Sequence, residues 1–278
     1  MHDEKIYFGI NSIKMKNISI LGCGWLGKPL ALSLINKGFI VKGSTTSLDK
    51  LPILKDTGIS PFLIDIDNLD NNLKEEFNNN SDENIHKFLT SEILIVAITS
   101  KNVAGFQNFI QQIEKSSIQK VIFISSTSVY PSLNKSMDEK EQTLNSPLVE
   151  IENSFKENNH FDTTILRFAG LFGQERQAGN WFQNKKIPHP KGFVNMIHQQ
   201  DCINIITEII VQNAWNETFN ACSNHHPTRE EYYINARKTM QKESPIFDDS
   251  LPLKYKIINS KKVQNHLKYT FIYDDLLA

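Results

Sequence analysis

Short apolar runs, each ended by glycine or small polar residues, alternate with helical periodicity over the first two thirds of the chain. Asn17 to Leu21 reads as a buried strand that stops at Gly22. Apolar residues at Leu30, Ala31, Leu34 and Ile35 then follow helical spacing from Lys28 to Lys37, and Gly38 closes the helix. A second strand starts at Phe39 and reaches Gly43, and a third covers Pro61 to Asp65. Residues 67–84 are rich in Asn, Asp and Glu and read as a polar surface segment with a short helix around Leu73 to Phe77. Ile93 to Ile98 is a further buried strand, and Phe106, Phe109, Ile110 and Ile113 mark a helix over Gly105 to Lys115. Val121 to Ile124, a helix from Val149 to Asn158, a strand from Thr163 to Arg167 and a helix from Cys202 to Gln212 complete the pattern. Continuous apolar strands alternating with amphipathic helices predict a parallel sheet of six or seven strands, covered on both faces.

The first strand and helix are joined by Gly22, Cys23, Gly24, Trp25, Leu26 and Gly27. In a Gly-x-Gly-x-x-Gly turn the first glycine permits the tight exit from the strand, and the second lets the backbone approach a pyrophosphate. The third lets the helix pack on the strand. The helix N-terminus then offers free N–H groups and its positive dipole end to the phosphates. Pro29 falls in the first helical turn, where its missing donor costs little. Inside a βαβ unit this predicts an α/β, Rossmann-type doubly wound sheet holding NAD or NADP. The second strand runs into Ser44, Thr45 and Thr46, with no acid to hold a ribose 2′-hydroxyl; Asp49 comes too late and reads as a helix start. Hydroxyls and Lys50 tilt the choice slightly toward NADP, although no arginine stands nearby for a bidentate contact.

Residues 15–175 are therefore expected to form the dinucleotide-binding domain, and 176–278 a smaller, loop-rich substrate lobe that returns one strand to the main sheet. Pro188, Pro190, Gly192 and Pro227 supply the turns of that lobe. Residues 1–14 are either a frayed extension or precede a true start at Met15. The 278 residues are 40% hydrophobic and 22% charged, with a net charge of −1, and nothing in that balance draws the chain to nucleic acid or an anionic membrane. Apolar runs are too short to span a bilayer, and no signal peptide is evident. Cys23, Cys202 and Cys222 are far apart and form no CxxC pair, which argues against a disulfide framework or a metal site and suits the cytoplasm. His225 and His226 read as loop residues. There is no Gly-x-Ser-x-Gly elbow, Walker A sequence or His-Glu-x-x-His.

Phe123 to Pro131, reading Phe-Ile-Ser-Ser-Thr-Ser-Val-Tyr-Pro, and Thr164 to Gly173, reading Thr-Ile-Leu-Arg-Phe-Ala-Gly-Leu-Phe-Gly, resemble the extended short-chain dehydrogenase/reductases. This is the NAD(P)-dependent epimerase/dehydratase superfamily, and the resemblance is to its atypical YeeZ-like subgroup. Phe219 to Cys222, Pro227 to Tyr232 and Lys261 to Phe271 fit the same pattern. The resemblance implies that Ser126, four residues before Tyr130, orients a substrate oxygen, with Thr127 and Ser128 lining the same pocket. It also implies that Ile98, Thr99 and Ser125 lie against the cofactor, and that Ala169, Gly170, Leu171 and Phe172 sit beside the nicotinamide.

The departure is in the acid/base pair. The family uses Tyr-x-x-x-Lys, because a tyrosine with pKa near ~10 is a poor base at neutral pH without the lysine. Matching Glu152 to the family's glutamate puts Leu148 at the lysine position and Leu144 at the tyrosine position. No Tyr-x-x-x-Lys occurs anywhere in the chain. Tyr130 and His198 are the substitute candidates, with His160, Lys185 and Lys186 as further guesses from the second lobe. Two function classes stay open. One is an oxidoreductase or epimerase acting on a small polar, sugar-related substrate; the other is a non-catalytic NAD(P)-binding sensor or regulatory protein. A homodimer stays open as well.

Overall fold

The computed structural model describes residues 17–68 and 83–278. Seven strands form its main sheet: β1 (Asn17–Leu21), β2 (Ile40–Thr45), β3 (Ser60–Leu63), β4 (Ile93–Val96), β5 (Lys120–Ser126), β6 (Asp162–Phe168) and β7 (Thr218–Ala221). Their order is β3-β2-β1-β4-β5-β6-β7, and every neighbouring pair is parallel. Parallel neighbours need a crossover, so the sheet is wound on both faces by helices. Among them are α1 (Gly27–Asn36), α2 (Lys50–Asp56), α3 (Val103–Glu114), α4 (Pro147–Lys156), α5 (Gln199–Gln212), α6 (Arg229–Thr239) and α7 (Lys261–Leu267), and residues 83–88 are helical as well. The order reverses between β1 and β4, and a crevice opens there at the carboxyl ends of the strands.

Burial explains the unbroken apolar strands. Ile18 and Ile20 in β1 and all four residues of β4 are essentially inaccessible, because both sheet faces are covered. On one face Leu30 and Leu34 of α1 pack with Ile206 of α5 and Val263 of α7. On the other, Phe106 and Phe109 of α3 meet Ile151 and Phe155 of α4, with Phe123 and Phe155 stacked 4.9 Å apart. Each such side chain contributes about 1.5–3 kcal/mol by leaving water. Ile187, Met196, Tyr232 and Tyr233 form a third, separate cluster. Short parallel pairs join Gly170–Phe172 to Met196–His198, Ile187–Pro188 to Phe247–Asp248, and Ser136–Met137 to Ile257–Ile258.

The boundaries differ from the sequence reading where the chain leaves the sheet for the crevice. β3 stops at Leu63 and β4 at Val96, so Asp65 and Ile98 fall in loops. Helix α5 begins at Gln199 rather than Cys202, because the His198 ring accepts the Gln200 N–H at 3.1 Å and caps it. Helix α2 starts directly after Asp49, as that residue suggests, whereas α7 carries too weak an apolar period to be read from sequence. The expected helix at Leu73 to Phe77 and the segment 1–14 lie outside the described residues. Among the described residues no helix is long and apolar enough to cross a membrane.

Candidate functional site

A cleft of about 770 Å³ lies at the carboxyl ends of the strands, a size that suits a cofactor or small ligand. At one end stands the glycine loop. Gly22 has φ +98°, in the left-handed region, and a side chain there would strike Ile98 and the Ala97 carbonyl. The turn is tied down by the Gly22 N–H donating to Ser44 Oγ at 2.9 Å and the Cys23 N–H donating to the Ser44 carbonyl at 2.7 Å. Gly27 packs so tightly that a side chain would run into the Gly22 carbonyl oxygen. A Cβ at Gly24, by contrast, would meet nothing within 4 Å. No side chain caps α1; the Lys28 N–H donates to the Gly24 carbonyl at 3.1 Å and Pro29 has no N–H, which leaves the Gly27 N–H of the helix for another acceptor. Burial pushes the Cys23 thiol up to about 12, so the loop's own side chains are uncharged.

At the other end β5 delivers Ser125, Ser126 and Ser128, all lining the cleft with Leu148 of α4 and Ala169, Gly170 and Leu171. Ser126 Oγ accepts the Ser128 N–H at 3.1 Å and caps a short 3-10 turn. Ser125 donates to Glu152 Oε1 at 2.5 Å. Glu152 is also gripped by Arg167, whose Nε lies 3.0 and 3.1 Å from its two oxygens and whose Nη2 donates at 2.5 Å. Arg167 Nη1 donates to Tyr130 Oη at 2.6 Å, and the phenol donates to Asn220 Oδ1 at 2.9 Å. Burial pulls Arg167 down, but its bonds to Glu152 outweigh that and hold the guanidinium above its usual range. This ion pair is buried below the cleft floor, with the two side chains only 10% and 3% exposed.

The structure places Tyr130 beneath the cleft rather than at its mouth. It is 1% exposed, does not line the cleft, and is held above the usual phenol range by burial, although Arg167 pulls the other way. Thr127 is also buried and absent from the lining. His198 takes a structural place. Its ring caps α5, stacks on Tyr273 at 3.6 Å between centroids and packs edge-on to Phe172, away from the lining. Gly27 sits beneath the loop rather than in the cleft wall. His160, Lys185 and Lys186 lie outside the lining.

Cys23, Gly24, Trp25, Leu26, Ser44, Thr45, Thr46, Ile98 and Thr99 all reach the cleft. So do residues the sequence reading passed over, namely Asp65, Asp67, Lys101 and Arg176. Asp67 accepts the Ser100 hydroxyl at 2.5 Å, joining the loops after β3 and β4. These four follow strand ends or turns, with no periodicity to single them out. Only their position at the carboxyl edge of the sheet gives them away. Leu148 lines the cleft, whereas Leu144 is 44% exposed and outside it. Among the described residues, no tyrosine or histidine lines the cleft.

Residues 18–211 match the NAD dependent epimerase/dehydratase family. The chain is 30% identical over 280 residues to Protein YeeZ of Escherichia coli (strain K12), covering 95% of this chain and 98% of that one. It is similar in structure to a putative NAD-dependent epimerase/dehydratase from Methylobacillus flagellatus, with TM-score 0.74, 21% identity and 94% of both chains covered. A mutant UDP-glucuronic acid 4-epimerase from Bacillus cereus, solved with UDP-4-deoxy-4-fluoro-glucuronic acid and NAD, gives TM-score 0.74 at 17% identity, covering 94% of this chain and 97% of that one.

Proposed function

The chain belongs to the NAD dependent epimerase/dehydratase family, and from that premise we propose that it holds NAD or NADP along the cleft and exchanges hydride with a small polar, sugar-related substrate. The observation that carries the reading is the open space beside Gly24, flanked by the left-handed Gly22 and the uncapped start of α1. These residues fit a pyrophosphate, which needs close backbone approach and unpaired N–H donors. When bound, the dinucleotide supplies or accepts the hydride at its nicotinamide.

The chain's own residues position the reactants. Ser126 Oγ accepts from Ser128, so its proton is free to donate to a substrate oxygen. Ser125 has its proton committed to Glu152 and offers only lone pairs to the cleft. With Tyr130 buried, no phenol reaches the substrate, and Ser126 is a hydroxyl placed to exchange a proton with it. At the far end Thr45, Thr46 and Lys50 favour a 2′-phosphate, and the carboxylates of Asp65 and Asp67 oppose it. The buried, unpaired thiols of Cys23, Cys202 and Cys222 suit a reducing cytoplasm.

Calorimetric titration with NADPH, NADP, NADH and NAD tests the cofactor, and a substrate screen with the preferred pair tests the reaction. Micromolar binding followed by hydride exchange that Ser126→Ala abolishes supports the proposal. Binding with no exchange toward any carbonyl or sugar turns it into the second reading, a non-catalytic sensor or regulatory protein. That reading has its own support in the apolar Leu148 and the buried Tyr130.

A further inference from the structure

The chain returns to the glycine loop after the strand at Gly170–Phe172. Gly173 and Arg176 exchange both backbone hydrogen bonds, at 2.8 and 3.2 Å, and close a tight turn. Gly173 and Gln174 take φ of +125° and +41°, which folds the turn back toward the cleft. Arg176 leaves this turn, lines the cleft and lays its guanidinium over the Trp25 ring, 4.5 Å from the centroid. That guanidinium makes no hydrogen bond or ion pair among the described residues. Beneath it Trp25 Nε1 is buried without a partner, and the Trp25 carbonyl is fixed by Gln199 Nε2 at 2.7 Å.

No side chain within the glycine loop is charged; Lys28, the residue after it, acts electrostatically on Cys23 but does not line the cleft. The loop offers backbone N–H groups and a helix dipole, and Cys23, Trp25 and Leu26 add no charge. A pyrophosphate diester brings a negative charge on each phosphate. Arginine suits that ligand because its planar fork matches two phosphate oxygens, and an indole face holds the same plane by cation–π attraction. We propose that Arg176 is the charged half of the dinucleotide's pyrophosphate site, held ready over the glycine loop by Trp25. This rests on the reading that the cleft binds NAD or NADP. It makes the turn after Phe172 part of the cofactor site, so that a segment far along the chain completes a loop at its start.

The same diphosphate chemistry occurs in a nucleotide-sugar substrate, and the experiment separates the two sources. Titrate wild type, Arg176→Gln, Arg176→Lys and Trp25→Leu with the preferred dinucleotide at low and high salt, and with adenosine, which has no phosphate. Arg176 is exposed, so its loss leaves the fold intact. Arg176→Gln is expected to weaken dinucleotide binding about tenfold to a hundredfold, with adenosine unchanged and the salt dependence reduced. Arg176→Lys and Trp25→Leu should fall between. Unchanged dinucleotide affinity in Arg176→Gln overturns the inference while leaving the cofactor reading in place. Weakened binding of UDP-glucose to the dinucleotide-loaded protein, with dinucleotide affinity unchanged, also overturns it by giving the charge to the substrate. A wild type that binds none of the four dinucleotides overturns the cofactor reading itself.

Discussion

At its glycine-loop end the cleft offers backbone groups and open space, whereas at its serine end Ser125 is already committed to a buried side-chain network, with Ser126 left to donate. Gly24 faces nothing within 4 Å, and the first N–H groups of α1 meet no capping side chain. Across the cleft, Ser125, Glu152, Arg167, Tyr130 and Asn220 form one chain of hydrogen bonds that runs down into the core. The difference teaches that ligand affinity and fold stability are divided in space. Groups that bind must stay unpaired until the ligand arrives, and groups that stabilise must be paired beforehand.

Substitutions at the two ends should then separate cleanly. The largest effect is expected from Arg167→Met. It leaves Glu152 as an uncompensated buried carboxylate and should lower unfolding free energy by about 3–5 kcal/mol, read by denaturant titration. Gly24→Asp is the counterpart. It meets open space, so the denaturant midpoint should hardly move, but its carboxylate faces the pyrophosphate. Repulsion of about 4 kcal/mol at ~4 Å weakens dinucleotide binding on the order of a thousandfold. A stable Gly24→Asp that binds dinucleotide normally would break the comparison at its stronger end.

Tyr130→Phe is a smaller probe of the serine end. It strips a partner from both Arg167 and Asn220 and should cost about 1–3 kcal/mol of stability. Turnover per folded molecule should be unchanged, since the phenol does not reach the cleft. Loss of turnover at unchanged stability would bring Tyr130 into the chemistry. The smallest effect is in pH. Burial lowers the pKa of His198, and Asp201 only partly offsets it, with Tyr273 and Phe172 covering the ring. A histidine whose folded pKa lies below its unfolded value contributes stability that is present above about pH 6.5 and lost as pH falls through the folded value. His198→Asn, which keeps a capping side chain, should flatten that fall and leave dinucleotide affinity alone.

Which residues form the glycine-loop end was readable from the chain, because a strand, a glycine turn and a helix follow each other directly from Asn17 to Asn36. Local spacing carries that signal. The serine end was only half readable. The run from Ser125 to Ser128 marks the end of β5, but the chain leaves the strand at Ser126 for a 3-10 turn over Thr127–Val129. That turn leaves Ser126 and Ser128 on the cleft and buries Thr127 and Tyr130. Nothing in the sequence around Tyr130 announces Arg167 or Asn220, which lie 37 and 90 residues away.

The sequence by itself determined the parallel sheet and the glycine turn. Unbroken apolar strands, amphipathic helices and glycines act through neighbours a few residues apart. It also determined that the Tyr-x-x-x-Lys pair is missing, a fact that needs no geometry. Only the tertiary structure decided which hydroxyls face the ligand, that Tyr130 is spent on a buried network, and that Arg176 lies over Trp25. Those outcomes depend on contacts between distant segments. Such contacts are set by how β5, β6 and β7 line up and how the turn after Phe172 folds back, which no local pattern encodes.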